Sequence, residues 1–175
     1  MELDKIVQMR LLKEELVKFE KKDKYSLKYV DINNHKDYLD DLNKIIEFHH
    51  KQLDWDAIPT IEKCIKRFES KSMCLLFYYN NQCIGWNWAN KDARFNWIDL
   101  DQILEENEIY LGGMFVTNVI ERPADAGLYN YNMVFDYWFK TNLYDTIYGY
   151  CDDWNRTALR VNFLNGHIIY NWIKK

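Results

Sequence analysis

The sequence predicts an α/β (α+β) fold, a mixed and mainly antiparallel central sheet flanked by helices. Three observations carry this. Residues 73–88 read as two β-rich runs joined by a two-residue turn, Asn80-Asn81. Downstream, strand and helix patterns alternate, as they do where helices cover a sheet. No internal repeat, low-complexity tract or Pro/Gly-rich linker interrupts the 175 residues. A single domain over 1–175 is therefore expected, with an extra N-terminal helix over 1–24 and the core over 25–175.

Taken in order, apolar residues at Ile6, Met9, Leu12, Leu16 and Phe19 recur at helical spacing, so Leu3 to Glu20 is expected to be helical. The basic cluster Lys21-Lys22-Asp23-Lys24 ends it and complements the negative end of the helix dipole. Tyr25 to Ile32 alternates as a first strand. Asp37 to Leu53 reads as a second helix, with Tyr38, Leu42, Ile45 or Ile46 and His49 on one side. Pro59 suits the first turn of a third helix that runs to Phe68. Met73 to Tyr79 and Gln82 to Trp88 make the hairpin, since Asn tolerates the left-handed backbone of a tight turn. Residues 90–107 are polar and show no strand pattern, although Leu100, Ile103 and Leu104 suit a short helix. Glu108 to Thr117 is a buried strand. Leu128 to Phe139 is a helix whose Leu128, Tyr131, Phe135 and Trp138 stripe reads as core. A strand over 146–151, a helix over 155–164 and a strand from His167 to Ile173 close the order.

Composition excludes several classes. At 48% hydrophobic and 17% aromatic, the chain can bury a substantial core and is not disordered over most of its length. A formal net charge of -4 argues against a general nucleic-acid binder, which usually shows a basic face. No apolar run reaches the roughly 18 residues that a membrane span needs. The charged start, Met1-Glu2-Leu3-Asp4-Lys5, does not read as a signal peptide. A cytoplasmic location follows as the expectation. Cys64, Cys74, Cys83 and Cys151 are irregularly spaced and form no CxxC pair, so they read as reduced thiols in or near the core. His49-His50 would face different sides of a helix, and no metal site is expected.

The block from Asn155 to His167 is the most specific feature. Asn155, Ala158 and Gly166 stand at offsets 0, +3 and +11, on a helix that leaves the strand Thr146 to Cys151. This resembles the last block of the GCN5-related N-acetyltransferases (GNAT superfamily). Other segments follow in that family's order: the hairpin end Cys83-Ile84-Gly85-Trp86, the strand end Met114-Phe115-Val116, and the loop Arg122-Pro123-Ala124-Asp125-Ala126-Gly127. The resemblance runs from about Tyr25 to the C-terminus and implies the GNAT, or acyl-CoA N-acyltransferase, fold. Three positions depart from the pattern. Asp125 stands where the family usually has its first glycine, and Asn162 where it usually has its acid tyrosine. After Gly166 there is room for one strand where the family usually has two.

The resemblance implies acetyl-CoA as co-substrate. The loop and the helix after it, with Arg122, Asp125, Ala126, Gly127 and Leu128, would take the pyrophosphate on helix N-terminal N–H groups, and small residues there let the backbone approach. Asp125 would turn outward or cap the helix. The backbone around Phe115 and Val116 would follow the pantetheine arm, as would Asn155 and Ala158, with Asn155 also a favoured helix cap. Glu108, opening its strand, is the candidate base for the acceptor amine. A backbone N–H near Phe115 or Val116 would hold the oxyanion. Asn162 cannot donate a proton usefully and could only hydrogen-bond the sulfur; Tyr150 and Cys151 are substitutes by position.

The activity so implied is acetyl transfer to a primary amine of a small molecule, with an amino sugar one acceptor that Trp86, Trp88 and Trp97 would suit. A catalytically inactive CoA-binding or protein-interaction module is the alternative that Asp125, Asn162 and the short C-terminus motivate, and an enzyme using a longer acyl donor is a third. A homodimer would account for the missing strand and for the extra N-terminal segment.

Overall fold

The computed structural model describes residues 5–20, 22–52, 59–91, 103–116, 126–141 and 143–174. Its first element corrects the sequence reading. Lys5–Leu12 is a strand (β1) followed by a 3-10 turn at Lys13–Glu15, not the helix that the apolar spacing predicts. The cause is burial on both faces. Val7, Met9 and Leu11 alternate with Ile6 and Gln8, and all five are buried. A strand buried on two sides shows a nearly continuous apolar run, which a helical template also fits.

The elements that follow are Tyr25–Val30 (β2), Leu39–Gln52 (α1), Ile61–Glu69 (α2), Met73–Tyr79 (β3), Gln82–Asn90 (β4), Glu108–Val116 (β5), Ala126–Lys140 (α3), Thr146–Asp152 (β6), Arg156–Leu164 (α4) and Ile168–Lys174 (β7). A 3-10 turn at His35–Tyr38 leads into α1. The seven strands form one sheet in the order β2-β3-β4-β5-β6-β1-β7. Among the described pairings only β5 with β6 is parallel, joined through α3, so the sheet is mixed and mainly antiparallel as predicted. The chain after Gly166 forms one strand, β7. The strand beside it is β1, from the other end of the chain, which pairs antiparallel with both β6 and β7.

The described residues divide into two compact units. The first holds β1, the start of β5, α3, β6, α4 and β7. Val7 and Met9 of β1 pack with Cys151 of β6 under Leu159 and Ala158 of α4. Asn132 of α3 donates to the Val17 carbonyl and to Asn165 Oδ1, both at 2.7 Å, which ties the segment after β1 to the end of α4. Of the α3 stripe, Phe135 and Trp138 are buried, whereas Asn130 and Asn132 take inward positions and Leu128 and Tyr131 are only partly covered.

The second unit holds β2, α1, α2, β3, β4 and the end of β5. Its hairpin turns on Asn80 and Asn81 at φ 48° and 62°, the left-handed pair that a tight primed turn requires. Thr60 caps α2, its hydroxyl accepting from Lys63 N–H at 3.3 Å, so Pro59 precedes the cap and does not occupy the first turn. Leu42, Ile45, Phe68, Leu76, Trp86 and Trp88 form the core of this unit.

Gly166 sets the end of α4. Its φ is 102°, and a Cβ there would lie 2.1 Å from the Glu15 carbonyl oxygen. Gly166→Ala is expected to cost at least about 2 kcal/mol, since a left-handed backbone is strained for an L side chain and the clash adds to it. Urea denaturation should show a lower midpoint at unchanged slope.

Candidate active site

In the first unit, β5 and β6 run parallel with Glu108 beside Thr146, Tyr110 beside Tyr148 and Leu111 beside Gly149. Glu108 and Tyr148 therefore share a face of the sheet. Glu108 Oε1 accepts from the Tyr148 hydroxyl at 3.0 Å, and Oε2 accepts from the Glu105 backbone N–H at 3.0 Å. Burial, then the hydrogen bond to Glu108, pushes the Tyr148 phenol well above its ordinary range, so it remains a donor at neutral pH. A carboxylate offers about four lone-pair sites. Two donors fix this one and leave capacity for a third group.

The last helix of the sequence motif is built as its spacing suggests. Asn155 Oδ1 accepts from Ala158 N–H at 3.1 Å, so the offset of three residues is a helix-capping geometry. Asn162 is buried and its side-chain amide donates to the Ala158 carbonyl at 2.9 Å. The Asn162 carbonyl in turn accepts from the backbone N–H groups of Asn165 and His167. His167 Nδ1 lies 3.2 Å from that same carbonyl, and since a carbonyl only accepts, Nδ1 carries the proton. Burial against Phe135 pulls the His167 pKa down to about 4.

At the start of α3, Ala126 is buried and Leu128 partly so. A Cβ built on Gly127 would meet nothing within 4 Å, and the first turn carries no acidic side chain. Open space beside the backbone N–H groups of a helix N-terminus is compatible with a phosphate. Arg122 and Asp125, like Trp97, lie outside the described residues. In the second unit, Phe115 and Val116 end β5 half-buried. A Cβ on Gly85 would sit 2.2 Å from the Phe115 carbonyl oxygen and 3.1 Å from Val116 Cα. The hairpin-end glycine is thus required by the close passage of β5.

Several residues offered by sequence are packing residues. Trp86 and Trp88 belong to the second unit's core with Phe68. Cys151 is buried, and its thiol is pushed up to about 11 by burial and then by the carboxylates of Asp152 and Asp153, so it stays protonated. All four cysteines are free thiols. Tyr150 accepts from Gln8 Nε2 at 2.8 Å.

Two features escape a reading of the sequence. Tyr148 meets Glu108 across 40 residues, which no local spacing reveals. Gly113 has φ 59° in the interior of β5, two residues beyond the last rung that Leu111 makes with Gly149. A left-handed glycine inside a strand marks a bulge or a close approach, and bulges often flank active sites. The Gly112-Gly113 pair was its available signal. Among the described residues, no three His, Cys, Asp or Glu side chains gather to hold a metal, and no helix is long and apolar enough to cross a membrane.

No family model matches the sequence, and no curated protein does. Solved structures do match. A GCN5-related N-acetyltransferase from Sphaerobacter thermophilus aligns at TM-score 0.65 and 12% identity, over 98% of this chain and 50% of that one. A tandem GNAT protein from the clavulanic acid biosynthesis pathway aligns at 0.63 and 11%, over 99% and 53%. The yncA protein of Salmonella typhimurium, solved with acetyl-CoA, aligns at 0.53 and 11%, over 82% and 79%. The chain spans about half the length of the first two. Its fold is that of the GCN5-related N-acetyltransferases.

His167 makes stability depend on pH. Its folded pKa, about 4, lies below the unfolded value of 6.5, so between these pH values the unfolded chain binds a proton that the folded chain does not. Stability is complete above about pH 6.5 and is lost as pH falls toward 4, by about 3 kcal/mol. Melting temperature should fall across that window, and His167→Asn should flatten this part of the profile. Asn155→Ala should cost about 1 kcal/mol through loss of the cap, read as a lower melting temperature at neutral pH.

Proposed function

We propose that the protein is an acetyl-CoA-dependent N-acetyltransferase acting on a primary amine of a small molecule. One observation carries the reading: on a GNAT fold, the strand that opens with Glu108 presents a carboxylate held by Tyr148 and the Glu105 backbone. An amine protonated at neutral pH must lose a proton before it can attack a carbonyl. Glu108 is oriented to accept that proton directly or through one water. Tyr148 holds the carboxylate in place throughout, since its own proton is not released near neutrality.

When bound, acetyl-CoA supplies the thioester whose carbon the amine attacks. The residues proposed to hold it are, in the first unit, Ala126, Gly127 and Leu128 at the start of α3 and α4 from Asn155 to Ala158, and, in the second unit, the backbone at Phe115 and Val116, with Arg122 and Asp125 preceding α3 in the sequence. The space at Gly127 supports a phosphate there. A backbone N–H of Phe115 or Val116 would stabilise charge on the carbonyl oxygen as the new C–N bond forms. The C–S bond then breaks, and the leaving thiolate is stable enough to depart without a strong acid. That suits a chain whose Asn162 amide is bonded to its own helix.

The same Asn162 geometry favours a second reading, a non-catalytic module with this fold that binds CoA or a protein. Calorimetric titration with acetyl-CoA and a thiol-release assay over a library of amines separate the two. The enzyme reading expects acetyl-CoA binding, and CoA release with some amine above the rate without protein; binding without release leaves only the module. Glu108→Gln is expected to lower kcat by about 100-fold or more while leaving acetyl-CoA affinity within about twofold. Equal turnover by the variant would remove Glu108 from the mechanism.

A further inference from the structure

The face of the first unit that carries Glu108 has a second charged group, and it comes from β1. Arg10 pairs in register with Tyr148, and Tyr148 with Tyr110, two residues along β5 from Glu108. Gln8, also on this face, stands opposite Tyr150. The Arg10 guanidinium carbon lies 5.2 Å from the centre of the Tyr170 ring, and Tyr170 packs against Tyr148 at 5.5 Å. The Arg10 Nε is buried and has no hydrogen-bond acceptor, and no described carboxylate lies within ion-pair distance of this side chain. A stack on one tyrosine offsets about 0.5–2 kcal/mol. It does not satisfy an N–H removed from water, and a guanidinium donor in that state is expected to have an anion as partner.

We propose that Arg10 binds the carboxylate of the acceptor, and that the acceptor is an amino acid whose amino group faces Glu108. This rests on the acetyltransferase reading for the role of the amine and refines its substrate class. Two strand spacings of about 4.8 Å separate the backbones of β1 and β5 by about 10 Å. The long Arg10 side chain spans part of that distance, so a small molecule with its amine at Glu108 and its carboxylate at Arg10 would lie across Tyr148. Tyr148 lies between the two charges and keeps them from pairing: its hydroxyl bonds Glu108 and its strand position abuts Arg10. Glu108, Arg10 and Tyr150 are half-buried and Tyr170 is exposed at 49%, whereas Gln8, Tyr110 and Tyr148 of the same face are buried, so a ligand would reach the two charges from the exposed rim.

Calorimetric titration of the full chain with the twenty amino acids, and with the matched amines that lack the carboxylate, tests the site without requiring turnover. At least one amino acid should bind about tenfold or more tighter than its matched amine, the difference expected for a charge-assisted hydrogen bond. Arg10→Gln should abolish that preference, and Arg10→Lys should retain part of it. Glu108→Gln should weaken the amine and the amino acid alike and preserve the ratio. Equal binding of amine and amino acid, no amino acid bound at all, or a preference untouched by Arg10→Gln would overturn the proposal. If Arg10→Gln does not fold, as circular dichroism would show, the Arg10→Lys variant and the ligand pairs on the native chain decide it. Adding acetyl-CoA separates the two readings. A bound amino acid with no CoA release leaves the carboxylate site and removes the acetyltransferase. CoA release with carboxylate-free amines alone does the reverse.

Discussion

The structure depends on one pairing constraint, the insertion of β1 between β6 and β7. Ile6 to Leu12 lie opposite Asp152 to Thr146, and Lys5 to Arg10 opposite Lys174 to Ile168. Without β1, β6 would have no partner on that side and β7 would have no described partner in the sheet. The insertion places Val7 and Met9 beneath α4, and it places Gln8 and Arg10 on the opposite face, beside the tyrosines of β6. The same strand thus completes the core and furnishes one wall of the candidate site. The contact of Gly166 with the Glu15 carbonyl belongs to this arrangement too, because the chain leaving β1 must pass the end of α4.

The two halves of the sequence motif serve different ends. Asn155, Ala158, Asn162 and Gly166 form a continuous series of helix-building contacts, capped at one end and closed by a left-handed glycine at the other. Their spacing reports how a helix is made after a strand, which is why it identifies the fold so well. The proposed base, Glu108, lies elsewhere, on the sheet. Glu108 is held by Tyr148 from the neighbouring strand, and the left-handed Gly113 follows two residues after the last rung of β5 with β6.

Legibility in the sequence followed the range of the interaction involved. The hairpin was readable because Asn80-Asn81 states its own backbone conformation locally. The helix after Asn155 was readable because a cap acts over three residues. β1 was misread because Ile6, Met9 and Leu12 fit a helical period, while its true period is visible only once both sheet faces are known to be buried. Arg10 was hidden by the same error, since on a helix it would have been one more solvated charge. The position of Glu108 at a strand start was readable, but its partner Tyr148 was not, because the parallel register that joins them passes through a whole helix. Trp86 and Trp88 are core residues and not acceptor contacts for a related reason: alternation shows that a strand residue faces one side, not whether that side is core or cleft.

The position of β1 also bears on how the chain is made. Residues 5–12 are synthesised well before both of their pairing partners, residues 146–152 and 168–174. Until those partners are made, Ile6 to Leu11 lacks both of its neighbours in the sheet. Closing so long a loop is entropically costly and places the protein among slow folders of high contact order. The second unit can form its hairpin and helix contacts while the chain is still growing. The first unit can be completed only once β7 is free, so until then the growing chain is open to aggregation through β1.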